Sequence, residues 1–419
     1  MSSWKEYKLG EIATFYNGRA YKNTEFKVSG TPIVRIQNLT GEGKIVYSDL
    51  NLDENKYIDY GDLIYAWSAT FGPYIWKGEK SIYHYHIWKI ICNEELLDKK
   101  YFYYKLKQIS DNLKDSGGNG SIFVHITKAF MENFKVKIPS LNEQKRVSSI
   151  LAYLDEKIQL NTQINQTLEQ IAQTIFKSWF IDFDPVHAKA NALASGQTAE
   201  QATQAAMAVI SGKNTQELHR LQTANPEQYQ QLWEIADAFP SGVDEEGVPW
   251  GWEERYLKDV CNIVYGKGLP KNKLTEKGFY VFGANGVIGF YDSYTYEKPQ
   301  VLIGCRGTVG QVTLSYPYSF VTNNSLVIEY ENSCVSMYYL EKYLSNINLK
   351  EISSGSVQPQ ITIQNMSKVK ILIPNIEILN FYSEKVKEIY DKRLHHFYEN
   401  QSLSKVRDLL LPKLLSGEV

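Results

Sequence analysis

Cysteine is scarce. Cys92, Cys261, Cys305 and Cys334 are the only four in 419 residues, and they lie far apart with no Cys-x-x-Cys pair. Neither a disulfide framework nor a zinc site is suggested, and a reducing cytoplasm fits this usage. No apolar run approaches the ~18 residues that a membrane span requires, and the opening MSSWKEYKLGE carries no hydrophobic signal core. The chain therefore reads as a soluble cytoplasmic protein that makes no membrane contact. An excess of positive charge is missing as well: 45 Lys and Arg against 47 Asp and Glu give a net charge of −2. That balance excludes a uniformly basic nucleic-acid coat and leaves room only for local anion-binding surfaces.

Catalytic signatures are also absent. Holding a flipped adenine for methylation takes an Asn-Pro-Pro-Tyr-like loop, and the nearest string, Asp182-Phe183-Asp184-Pro185, lacks the second proline and the aromatic. Gly283-Ala284-Asn285-Gly286 opens no helical pattern and reads as a turn. Neither Gly43-Lys44-Ile45 nor Gly212-Lys213-Asn214 supplies the Ser or Thr that holds magnesium in a phosphate loop. Glu143-Gln144-Lys145 has no upstream acidic partner and reads as a solvated helix start. His84 and His86 would share one face of a strand, yet no third ligand is placed, so packing or solvation is the favoured reading.

What is present is a tandem repeat. WKEYKLGEIATFYNG at 4–18 aligns without a gap on WEERYLKDVCNIVYG at 252–266, with Trp4/Trp252, Glu6/Glu254, Leu9/Leu257 and Gly18/Gly266 identical, at an offset of 248. Further on, ITKAFMENFKVKIP at 126–139 matches ITIQNMSKVKILIP at 361–374 at six of fourteen positions, at an offset of 235. Two copies of one fold with different interiors are implied, the second 13 residues shorter inside. With 43% hydrophobic residues, real cores can form. In the first copy TPIVRI at 31–36, DLIYAW at 62–67 and SIYHYHIWKI at 81–90 read as strands, and YFYYKLKQISDNLK at 101–114 reads as a helix. Their partners are KGFYVFG, PQVLIGC, NSLVIEY and MYYLEKYLSNINLK. Turn-rich stretches at 116–121 and 353–360 precede a short closing strand in each copy.

After each copy comes a long apolar stripe. Val147, Ile150, Leu151, Leu154, Ile158, Ile164, Leu168, Ile171, Ile175 and Trp179 fall mostly three or four apart, and at the offset of 235 Leu168, Ile171, Ile175 and Trp179 pair with Leu403, Val406, Leu410 and Leu414, so the helix at 376–411 repeats the pattern. Helices of that length need a partner for the apolar face, and each is the other's natural partner. Asn161 interrupts the stripe, either to set register or as a solvated break. Between the repeats, 182–254 carries only Lys189, Lys213 and Arg220 against twelve acidic residues, and reads as an Ala/Gln-rich helical connector. Its net −9 hides the mildly basic character of 1–140 (+3) and 255–374 (+4), a distribution compatible with phosphate contact.

These residues resemble the specificity subunit of type I restriction–modification enzymes. The resemblance covers nearly the whole chain and is carried by IPSLNEQKRVSSILAYLDEKIQLNTQINQTLEQIAQTIFKSWFIDFDP at 138–185, by RDLLLPKLLSGEV at 407–419, and by the domain openings Leu9-Gly10-Glu11-Ile12 and Leu257-Lys258-Asp259-Val260. It implies an α+β, pseudo-twofold architecture: two α/β target-recognition domains separated by two long antiparallel helices, a coiled-coil-like spacer. The expected divisions are 1–140 and 251–374 for the recognition domains, 141–181 and 375–419 for the long helices, and 182–250 for the connector.

By the same resemblance the chain is not an enzyme. It binds a bipartite, asymmetric site on double-stranded DNA and directs adenine-N6 methylation by two methyltransferase subunits and, with restriction (motor) subunits, cleavage. The chain itself holds no cofactor; S-adenosylmethionine, ATP and Mg belong to the partners. The alternatives are a self-sufficient DNA-modifying enzyme and a coiled-coil scaffold without DNA specificity.

Base readout needs Arg, Lys, Asn, Gln, Ser or Thr on turn-flanked segments. The candidates are Arg35, Gln37, Asn38, Trp67, Ser68, Thr70, Asn119 and Ser121 in the first copy. In the second they are Lys267, Lys271, Lys273, Asn285, Arg306, Thr308, Asn323, Asn324, Ser356, Gln358 and Gln360. Arg306, in the tight Gly-Cys-Arg-Gly turn at 304–307, is the strongest of these, and Trp67 has a competing role in the core. Leu160, Phe176, Phe180, Leu411 and Leu415 fall outside one strict stripe and are the expected docking residues for the methyltransferase subunits.

Overall fold

The computed structural model describes residues 4–41, 43–68, 71–115, 126–355 and 358–418. They divide into two compact units, one formed by 1–163 with 396–419 and the other by 164–395.

In the first unit the chain runs β1 (Lys5–Lys8), α1 (Leu9–Ile12), β2 (Ala13–Asn17), β3 (Thr31–Val34), α2 (Ile36–Leu39), β4 (Val46–Ser48), β5 (Tyr57–Ile58), β6 (Leu63–Ala66), β7 (Gly72–Ile75), β8 (Ser81–Tyr83), β9 (Ile87–Cys92), α3 (Lys99–Asp115), α4 (Lys128–Asn133) and β10 (Lys135–Ile138). One sheet has the order β2-β9-β6-β7, a second β4-β3-β8-β5, and β1 pairs with β10. All four side chains of β6 are buried, so both of its faces are covered, which is why Leu63-Ile64-Tyr65-Ala66 shows no polar alternation. Tyr65 Oη lies 2.9 Å from Ser110 Oγ of α3. The core joins Phe15, Leu63, Tyr65, Trp88, Tyr101 and Phe102 to Val147 and Leu151 and to Leu411, Leu414 and Leu415 near the C-terminus.

The long helix α5 (Leu141–Phe180) leads to four shorter ones, α6 (Asp184–Ala194), α7 (Ala199–Ser211), α8 (Thr215–Ala224) and α9 (Pro226–Ala238). The helical reading of this stretch holds, but it is no bare connector, because Val186 and Phe239 belong to the main core of the second unit. The Lys189 ammonium donates to the carbonyls of Ala236, Asp237 (3.0 Å) and Phe239 (2.6 Å), closing the C-terminal end of α9, where the last carbonyls of a helix lack partners.

The second unit continues with β11 (Glu253–Tyr256), α10 (Leu257–Val260), β12 (Asn262–Tyr265), β13 (Phe279–Gly283), β14 (Gly286–Tyr291), β15 (Val301–Gly304), β16 (Val312–Leu314), β17 (Phe320–Val321), β18 (Ser325–Glu329), α11 (Met337–Ser345), α12 (Ile363–Met366), β19 (Lys370–Ile373) and α13 (Ile376–Ser416). Its sheets, β12-β18-β15-β16, β14-β13-β17 and β11-β19, repeat those of the first unit strand for strand, except that β5 has no counterpart. Much of the length difference sits there. Thirty-three positions separate Val34 from Trp67, but twenty-three separate their equivalents Phe282 and Cys305. One expected strand is corrected: SIYHYHIWKI is two strands, β8 and β9, joined by a turn at His84–His86.

Within each unit the segments of α5 and α13 pack antiparallel. In the first, Arg407 pairs with Asp155 at 2.7 Å, and the Asn161 amide donates to Glu399 (2.7 Å) and Asn400 (2.9 Å). Asn161 is fully buried, so it is a hydrogen-bonded polar layer of the seam and not a solvated break. In the second, the Asn165 amide donates to the Arg393 carbonyl at 3.1 Å, and Glu169 pairs with both Arg393 and Lys342.

Candidate nucleic-acid interface

The loops that follow β2, β3, β6 and β8 in the first unit, and β12, β13, β15 and β17 in the second, meet at one end of their sheets, and the same backbone bonds hold them in both copies. Gly18 donates to the Ile87 carbonyl and Gly266 to that of Ser325, each at 3.1 Å. Arg19 donates to Tyr83 at 3.1 Å and accepts from Tyr85 at 3.0 Å; Lys267 donates to Val321 at 2.9 Å and accepts from Asn323 at 3.1 Å. His84 and Thr322 donate to Val34 and Phe282, both at 2.9 Å. Trp67 donates to His86 at 3.1 Å, as Cys305 does to Asn324 at 2.9 Å.

This packing explains the shared glycine of the repeat. A Cβ on Gly18 would lie 2.2 Å from the His84 carbonyl oxygen, and one on Gly266 would lie 2.3 Å from that of Thr322. Only glycine lets the two backbones approach so closely.

Most of the candidates in the second unit converge here. Arg306 and Thr308 are exposed on the loop after β15, with Gly307 at φ +80°. Asn323 and Asn324 are exposed on the β17–β18 turn, and Lys267 sits beside them. Asn285 lies at the tip of the β13–β14 hairpin; the carbonyl of its neighbour Ala284 approaches the site of a Gly304 Cβ to 2.5 Å. Gln360 exchanges two bonds with Ser354 while Ile361 donates to the Cys305 carbonyl, which brings Gln358 and Gln360 alongside the Arg306 loop. Lys271 and Lys273 are exposed on a separate turn of 3-10 helix at 271–273, just before Thr275, which bonds to Phe290 of β14. Ser356 lies outside the described residues, as do Thr70, Asn119 and Ser121.

The first unit is chemically different. Arg35, Gln37 and Asn38 follow β3, but Asn38 is consumed by its own loop: its oxygen accepts from the Arg35 amide at 2.9 Å and its nitrogen donates to the Gly43 carbonyl at 2.9 Å. Asn38 thereby helps to close its own loop. The Arg35 guanidinium donates to the Lys44 carbonyl at 2.9 Å. Gln37 is exposed. Trp67 stacks on Trp88 with centroids 6.2 Å apart, and its indole donates to the Tyr85 carbonyl at 2.8 Å, so it buttresses the turn. Ser68, the counterpart of Arg306, is half-buried.

Three residues of this frame are not among the DNA-binding candidates read from the sequence. Arg19, the counterpart of Lys267, is gripped in bidentate fashion by Glu25 (2.7 and 3.1 Å), which holds that carboxyl below its ordinary range. Tyr85 and His86 occupy the positions of Asn323 and Asn324. The signal available was Gly18-Arg19 aligned on Gly266-Lys267. The His84 and His86 rings lie 4.9 Å apart, and among the described residues no cluster of three His, Cys, Asp or Glu side chains could hold a metal. Burial first, then His86 and Arg35, lower the His84 pKa to about 4.

The docking residues divide. Phe176 and Phe180 lie in the core of the second unit, and Leu411 and Leu415 are tied to the core of the first. Those four are therefore corrected: they fasten the long helices to their own globular parts. Leu160 is 50% exposed. Other apolar side chains of the long helices are exposed too: in the first unit Tyr153 (68%), Val406 and Leu409 (60%), in the second Ile171.

A protein built from two such sheet-and-loop modules on paired long helices belongs to a class defined by a family model described as the type I restriction modification DNA specificity domain. That model matches residues 1–170 and 249–406, and the chain belongs to this family. It is 34% identical, over the full length of both chains, to the type I restriction enzyme HindI specificity subunit of Haemophilus influenzae. It is 24% identical to the MjaIX specificity subunit of Methanocaldococcus jannaschii over 76% of this chain and 68% of that one. In fold it is similar to the crystal structure of a type I S subunit from M. genitalium, with a TM-score of 0.58 at 16% identity, covering 99% and 96% of the two chains. The chain is thus a non-catalytic specificity subunit that determines DNA target recognition in a type I restriction–modification complex. Among the described residues no helix is long and apolar enough to cross a membrane.

Proposed function

We propose that each unit reads one half of a bipartite, asymmetric site on double-stranded DNA through the loop end of its sheets. The observation that carries this reading is the twice-built turn at 84–86 and 322–324: one backbone frame presents Tyr85 and His86 in one copy and Asn323 and Asn324 in the other. A common scaffold with different side chains at its tip suits two different sequences. In the second unit, Lys267, Lys271, Lys273 and Arg306 supply the cations, and Asn285, Thr308, Asn323, Asn324, Gln358 and Gln360 the base-edge donors and acceptors. In the first, Arg35, Gln37 and Ser68 serve.

The long helices set the gap between the half-sites, with 1–140 and 251–374 as recognition domains. Two methyltransferase subunits dock on exposed apolar side chains of the helices, Leu160, Tyr153, Val406 and Leu409. In the cytoplasm this complex methylates adenine at N6 and, joined by restriction subunits, cleaves. S-adenosylmethionine, ATP and Mg belong to those partners. The test is DNA retardation by the chain reconstituted with its methyltransferase. Selective retention of one sequence, absent with the methyltransferase alone, is expected; indifference to sequence would overturn the reading.

A further inference from the structure

We infer that the turn His84–Tyr85–His86 is the element that determines base preference in the first half-site, with Tyr85 and His86 facing base edges and Trp67 and His84 holding them in place. The inference rests on the proposed reading of the two loop ends as DNA-facing.

Each residue of this turn is matched by backbone bonds to one in the second copy: His84 to Thr322 through the bonds to Val34 and Phe282, Tyr85 to Asn323 through Arg19 and Lys267, and His86 to Asn324 through Trp67 and Cys305. The glycines beneath the turns leave no room for a Cβ in either copy. The second turn carries two asparagines, side chains that pair with adenine in a bidentate manner. The first carries two rings in their place.

The turn is also tightly packed. The rings form a continuous cluster: Tyr85 to His86 at 3.9 Å between centroids, His84 to Tyr85 at 4.4 Å, and Trp67 to His86 at 5.1 Å. The Trp67 indole fixes the turn through the Tyr85 carbonyl. Yet Tyr85 stays 40% exposed at the tip of this cluster. An aromatic pinned on its inner side and bare on its outer side loses little side-chain freedom on binding, the preorganisation that favours recognition. Tyr supplies a hydroxyl that donates and accepts, and imidazole one group of each kind, alongside apolar ring edges that fit a thymine methyl. Arg19 stands where Lys267 stands, but its guanidinium is paired in bidentate fashion with Glu25 beside the same turn, so the two copies also differ in the charge they present there.

The experiment uses the full chain assembled with its methyltransferase subunits and reads all methylated sites by sequencing. Tyr85→Ala and His86→Ala are expected to relax discrimination in one half-site by on the order of tenfold to a hundredfold and leave the other half-site unchanged. Tyr85→Phe keeps the ring and its packing, so it guards against a folding defect; loss of preference in that variant assigns the hydroxyl. The double replacement Tyr85→Asn with His86→Asn should shift preference toward adenine in that half-site alone. Unchanged preferences in both alanine variants would overturn the inference while leaving two-domain recognition intact. Loosening of both half-sites would also overturn it, since the turn would then act through the fold. A wild-type complex that methylates without sequence preference would instead overturn the proposed function.

Discussion

His84 shows how a single side chain reports on the turn around it. Its neutral form is the one the fold holds, because burial disfavours the cation and His86 and Arg35 add positive charge nearby. An ordinary imidazole protonates near 6.5; this one is held to about 4. Since the folded pKa is depressed, the stabilisation is complete above pH 6.5 and is lost as pH falls from there towards 4. Glu25, held low by Arg19, weakens in the same direction as acid protonates it. In an NMR titration the His84 ring should stay neutral at pH 6 and titrate near 4, and Arg35→Gln should move that midpoint upward; a midpoint near 6.5 in the native chain would contradict this environment. None of it was legible in the residues alone. The run Ser-Ile-Tyr-His-Tyr-His-Ile-Trp-Lys-Ile alternates well enough for one strand, and only the pairing of β8 with β3 and of β9 with β2 and β6 breaks it into a turn. The loop bonds of Asn38 were hidden for a related reason: a short polar side chain after a strand closes its own loop as readily as it reaches outward.

The long helices carry a buried charge network whose loss should be felt. Lys342 of α11 is almost wholly buried and pairs with Glu169 of α5 and with Glu341, while Arg393 of α13 holds the other oxygen of Glu169. Burial pushes the Glu169 carboxyl up, but Lys342 and Arg393 outweigh it and keep its pKa below the ordinary value. Lys342→Met would leave two carboxylates facing each other without their shared cation. We expect a loss of about 3 kcal/mol in chemical denaturation, the low end for breaking a buried pair because Glu169 and Glu341 keep some contact with water; an unchanged midpoint would show the network to be dispensable. A separate test addresses docking. Tyr153→Asp with Leu409→Asp should prevent assembly with the methyltransferase in size-exclusion chromatography without lowering the melting temperature; full assembly would remove this surface from consideration. Truncation before Arg407 is a poor substitute, because Leu411, Leu414 and Leu415 belong to the core and Lys105 donates to the Leu415 carbonyl at 3.1 Å. The stripes were readable from their spacing. What spacing could not tell is which turns of each helix lie under a globular part, so Phe176 and Leu415 looked spare when they are core, and Ile171 and Val406 looked like core when they are exposed.

Across the whole chain the repeat was the most informative feature of the sequence, because the segments that align, the opening strand and helix and the closing Ile-Pro strand, are the ones that pair as β1 with β10 and β11 with β19. The middles resisted alignment where β5 is lost and where the loop residues differ, which is where two readers of different sequences need to diverge. Recognition of a two-part site requires those readers to be separate. The measurement that tests it most directly is methylation sequencing of a host carrying this chain and its partner subunits, compared with the same host carrying a chimera in which 1–140 comes from another specificity subunit. The native chain should give one bipartite, asymmetric target, and the chimera should change one half-site and keep the other. A change in both half-sites, or in neither while the complex remains active, would contradict it.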